Sequence, residues 1–100
     1  MSKYEHVKAA LESGDVGSLL PGQLILYLTE ELSNGNTEIM DGEHVAEALS
    51  ASVLPDLLRE TGVSEPSILT EEEVLDWMAE MGCHEDDELQ MPIVGAIIDL

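Results

Sequence analysis

Carboxylates are the residues of this chain with the most chemistry to offer. Glu71, Glu72, Glu73, Asp76 and Glu80 fall within ten residues, and Glu85, Asp86, Asp87 and Glu88 follow as an unbroken run. Such groups serve as general acids and bases, as ligands for hard cations, or as a charged face for a cationic partner. Spacing decides among these uses. No pair stands apart as an acid and its base, so no catalytic residue is assigned and the chain is not expected to be an enzyme. Glu72, Asp76 and Glu80 instead recur at i, i+4 and i+8, which on a helix forms one column with Cβ atoms roughly 5–6 Å apart. Like charges at that spacing destabilise a helix by about 0.2–0.5 kcal/mol per pair, and no lysine is interleaved among them. A costly column of this kind points outward, to a partner. Glu71, Glu72, Glu73, Asp76, Glu80, Glu85, Asp86, Asp87 and Glu88 are therefore the expected partner-binding face.

Other reactive residues form no pattern. Cys83 is followed by His84, yet a nucleophile and its base must meet in space, and adjacency in sequence does not arrange that. Cys83, His84, His6 and His44 lack zinc spacing. Asn34-x-Asn36-x-Glu38 opens like a calcium loop, but its sixth position is Ile39 where glycine is needed and its twelfth is Val45 where glutamate is needed. No glycine-rich loop with a cation is present to cradle phosphate. Neither metal nor cofactor is expected.

Composition narrows the partner. Three lysines and arginines face 22 acids over 100 residues, for a net charge of −19. Nine acids and two lysines in residues 1–50 leave −7; thirteen acids and one arginine in residues 51–100 leave −12. Such a surface repels nucleic acid and anionic membrane faces, which both need cations for binding. It attracts basic proteins from a distance. High charge alone would suggest disorder, but 44% of the residues are hydrophobic, so the chain can fold. No apolar run approaches the roughly 18 residues of a membrane span. The opening Met1-Ser2-Lys3-Tyr4-Glu5 has no apolar run behind a basic start, and the single cysteine forms no internal disulfide. Both features give the expectation of a cytoplasmic protein.

The elements that must position these groups read as helices. Val7, Ala10 and Leu11 share one face of a first helix over residues 3–13, closed by Gly14. Pro21 suits the first position of a second, with Leu24, Leu28 and Leu32 at i, i+4, i+8 and Ser33-Asn34-Gly35-Asn36 as its stop. Asp41 is the expected N-cap of a third, whose face is Val45, Ala48, Leu49 and Ser52. Pro55 predicts a break or kink near residues 51–54, after which a short helix runs to Gly62. Thr70 with Glu73 forms a capping box that opens the acidic helix. The inner face of that helix is expected at Val74, Met78 and Met81, with Leu75 alongside. Leu89, Ile93, Ile97 and Leu100 fit a final helical stripe; a strand would also fit Ile93 to Ile98, but with no second strand evident to pair with it a helix is expected, and Met91–Leu100 could complete the core or hold two copies together as a homodimer. The fold class is all-α: a small single-domain bundle of four to five helices spanning residues 1–100. With Tyr4, Tyr27 and Trp77 the only aromatics, the core must be aliphatic.

One window carries a resemblance. Ser18-Leu19, followed by Leu24, Leu28, Glu30-Glu31 and Leu32, resembles the acyl carrier protein helix that begins at the pantetheinylated serine. Glu38-Ile39-x-Asp41 is similar to the loop that follows it. The resemblance covers about 25 residues and implies a carrier modified on Ser18. Gly17 stands where that family has aspartate, and the segment ahead of the serine is shorter than in the family. The charge favours a different expectation: an acidic module that mimics nucleic acid and blocks the basic cleft of a DNA- or RNA-binding protein. Small acidic anti-defence proteins of phages and mobile elements resemble this chain in size and charge. A structural or adaptor domain with a salt-adapted surface is the remaining alternative.

Overall fold

The computed structural model describes residues 4–83 and 87–100, and every regular element among them is helical. Helix α1 spans Glu5–Ser13, α2 Pro21–Ser33, α3 Val45–Ala48, α4 Leu54–Thr61, α5 Glu71–Glu80 and α6 Asp87–Ile98. Single 3-10 turns at Val16–Ser18, Thr37–Asp41 and Pro66–Ile68 link them. A π-helical turn, Leu49–Val53, joins α3 to α4 without interruption, so the described residues form five helical rods.

The core forms where the apolar stripes converge. Leu24, Ile25 and Leu28 of α2 are completely buried, as are Leu49, Val53 and Leu57 of the α3–α4 rod. Val74 and Met78 of α5 and Ile93, Val94 and Ile97 of α6 close the other side. Helix α6 packs on both α2 and α5, and α5 packs on α4. Full burial of side chains this size contributes about 1.5–3 kcal/mol each. The C-terminal segment therefore completes the monomer's core through Ile93, Val94 and Ile97. Pro92 sits inside α6 on its exposed side. Three buried polar side chains are paired: Thr29 and Ser52 donate to the carbonyls four residues back at 2.8 and 2.7 Å, and Gln90 Nε2 donates to the Cys83 carbonyl at 2.9 Å.

Two expected helix signals are used differently. The break or kink expected near residues 51–54 takes the form of a π turn, and the helix continues through Pro55. The π turn that precedes it widens the helical ladder where a proline lacks an N–H and would collide with the carbonyl four residues back. Asp41 does not cap α3. It ends the 3-10 turn, Gly42 N–H bonds to the Ile39 carbonyl, and His44 occupies the N-cap position without a side-chain bond to the backbone amides of α3. Gly14 closes α1 at φ +82°, a left-handed conformation that other residues adopt at a cost, and the His44 ring packs where a side chain would stand.

Candidate functional site

The acidic helix is built as its sequence dictates. Thr70 Oγ1 accepts from the Glu73 N–H at 3.2 Å, and Glu73 Oε1 accepts from the Thr70 N–H at 3.2 Å. This reciprocal pair satisfies two of the amides that a helix start leaves open. Glu71, Glu72 and Glu73 lie in the first turn, where the helix dipole favours negative charge. Glu71, Glu72, Asp76 and Glu80 are exposed, while Glu73 is half-buried by its capping role.

Helix packing adds residues that spacing along one helix could not reveal. The end of α4 lies against α5 and brings Glu60 and Thr61 beside Glu73, Asp76 and Glu80. These residues line a cleft of about 240 Å³ with Trp77. Four carboxylates thus converge, with no lysine, arginine or histidine in the lining. Arg59, one residue from Glu60, is held elsewhere by Asp56 at 2.6 Å. Thr61 Oγ1 donates to the Leu57 carbonyl at 2.8 Å, which keeps its hydroxyl turned onto its own helix.

Trp77 was not among the expected site or core positions. It takes the inner position assigned to Met81, which is 37% exposed because α5 ends at Glu80 and Met81 leaves the helical track. Trp77 is 2% exposed, and its Nε1–H is a fully buried donor with no acceptor among the described residues. An unsatisfied buried donor costs about 1–3 kcal/mol. A lone tryptophan three residues after Val74, on the apolar stripe, was the available signal for its burial.

No protein family, curated protein or solved structure matches this chain.

The remaining expected residues divide. Glu88 is exposed on α6, whose first residue is Asp87; Glu85 and Asp86 lie outside the described residues. Ser18 is exposed, but it ends a 3-10 turn three residues ahead of Pro21 instead of opening α2. Cys83 is buried, and His84 lies outside the described residues. His6 Nε2 lies 2.7 Å from Gln23 Oε1, and His44 Nδ1 lies 3.1 Å from Glu47 Oε2. Among the described residues, no three His, Cys, Asp or Glu side chains are grouped to hold a metal ion. No described helix is long and apolar enough to cross a membrane.

Proposed function

We propose that this chain is an acidic protein-binding module that occludes the basic, nucleic-acid-binding surface of a partner protein. One observation carries the reading: four carboxylates from two helices converge on the α4–α5 cleft, and no cation lines it. A fold shaped for stability alone would place lysine or arginine there, since each like-charged pair costs and each opposite pair gains. The unneutralised cleft is instead suited to receive the lysine and arginine side chains that otherwise grip phosphates. The net charge of −19 steers such a partner into place, and the carboxylates compete with nucleic acid for it. The type of function is that of an inhibitor acting by mimicry, of the anti-defence kind.

The test is capture from a host lysate at low salt, followed by a salt gradient. The reading expects one stoichiometric nucleic-acid-binding protein, displaced by DNA or RNA competitor and lost when Asp76 and Glu80 are both replaced by lysine. A diffuse set of basic proteins, released early and retained equally by the double variant, would refute it and leave the charge as solubility or salt adaptation.

A further inference from the structure

A second hollow, of about 370 Å³, opens between α1, α2 and the segment from Asn36 to Val45, and shares no residue with the α4–α5 cleft. Clefts that hold small ligands span about 300–1,000 Å³, so its size is adequate. Its floor is apolar, from Leu11, Ile39 and Val45. Its rim carries Glu12, Glu31 and Glu43 against Lys8, the one fixed positive charge in the lining. His44 also borders it, with Nδ1 directed at Glu47. Glu31 accepts from Asn36 Nδ2 at 2.8 Å. Glu12 and Glu43 have no hydrogen-bond or ion-pair partner among the described residues.

Tyr27 gives this hollow a second and independent feature. The residue is 5% exposed, with its ring packed edge-on against Tyr4 at 6.1 Å between centroids. Its hydroxyl has no hydrogen-bond partner among the described residues, yet it is not sealed in the interior as the Trp77 N–H is. The reachable end of this otherwise buried side chain therefore opens into the hollow that it lines. Burial, followed by the charges of Glu31, Glu12 and Glu30, pushes the phenol above its usual pKa. The charges of Glu31 and Glu12 act on this oxygen, and it keeps its proton at neutral pH.

We infer that the hollow binds an alkyl cation, an aliphatic chain ending in a guanidinium or ammonium group. The chain would lie on Leu11, Ile39 and Val45, and the head would meet Glu12, Glu31 and the Tyr27 oxygen. An apolar stem with a charged head is the shape that such a lining accommodates. The hydroxyl accepts an N–H from the cation and remains able to donate its own proton to a rim carboxylate. An anion is disfavoured, because three carboxylates outweigh Lys8. The cation's source is either a free amine or the side chain of a basic protein. The inference stands apart from the proposed function, since no residue of the hollow lines the α4–α5 cleft.

The experiment is an amide-detected NMR titration of the full chain at low ionic strength, with agmatine as the probe. Saturable shifts concentrated at Glu12, Tyr27, Glu31, Ile39 and Val45 are expected. Tyr27→Phe breaks no bond within the chain and should weaken binding about tenfold, as loss of one hydrogen bond to a charged group does. Glu12→Gln combined with Glu31→Gln should abolish it, and Glu72→Gln on α5 should leave it unchanged. An arginine blocked at both ends is the second probe. If it saturates the site as agmatine does, the occupant can be a protein side chain; if only agmatine saturates, the site serves free amines. Shifts that grow without saturation across all acidic helices, or an affinity indifferent to Tyr27→Phe, would overturn the inference.

Discussion

Replacing Asp76 by lysine should stabilise the fold while destroying partner binding. Asp76 stands between Glu72 and Glu80, four residues from each, and all three are exposed on α5. Two i, i+4 repulsions disappear, worth about 0.4–1 kcal/mol together, and two attractions of similar size replace them. The expected gain is about 0.8–2 kcal/mol, with a few tenths more from the better helix propensity of lysine. At about 4–8 °C per kcal/mol for a domain this size, the melting temperature should rise by roughly 3–16 °C in dilute buffer. Salt provides the control. At 1 M the screening length is about 3 Å, shorter than the Cβ spacing on the column, so only the propensity remainder should persist. Thermal melts of wild type, Asp76→Ala and Asp76→Lys at low and high salt measure each part, with the alanine variant expected midway. An Asp76→Lys protein no more stable than wild type at low salt would refute the claim that this column costs stability. A gain undiminished at 1 M salt would refute its electrostatic origin.

Further outcomes follow from packing, capping and titration. Thr70→Ala should cost about 0.5–2 kcal/mol in urea denaturation, because it removes the cap from the Glu73 amide. Trp77→Phe should change stability by no more than about 1 kcal/mol, since relief of the orphaned N–H offsets the smaller ring, whereas Leu28→Ala should cost about 2–5 kcal/mol. The raised pKa of Tyr27 means that the folded state holds the phenolic proton more tightly than the unfolded chain. That contribution is fully present below the unfolded pKa of about 10 and is lost as pH rises through the folded value, so Tyr27→Phe should flatten the alkaline limb of a stability–pH curve. Truncation after Gln90 removes the buried Ile93, Val94 and Ile97, and circular dichroism should show an unfolded chain.

What was legible in the sequence was what a single helix determines. The Thr70–Glu73 box, Pro21 at the head of α2, the α2 stripe and the apolar final helix are local signals, and each is realised. Asp41 does not cap because a capping residue acts only where the chain turns helical directly after it, and here Gly42, Glu43 and His44 separate it from α3. Pro55 was read correctly as incompatible with a regular helix, but the remedy was a wider turn and not a break. Half of the site was visible as the carboxylates of α5. Glu60 and Thr61 were not, because their meeting with α5 depends on how α4 docks on it, a relation between segments that no spacing within one of them encodes.

The π turn has a consequence for how this protein can change over generations. Each residue added to or removed from a helix rotates everything beyond it by about 100°. A π turn winds less per residue, so the five residues Leu49–Val53 turn about as far as four would in ordinary helix. Deletion of Ala51 would therefore leave Leu57 facing the core and Glu60 beside Asp76 and Glu80, but would restore the collision between Pro55 and the carbonyl four residues back. Drift in the chain's length should be tolerated at the exposed turn around Asn34 and Gly35, and between Leu49 and Val53 only together with the loss of Pro55.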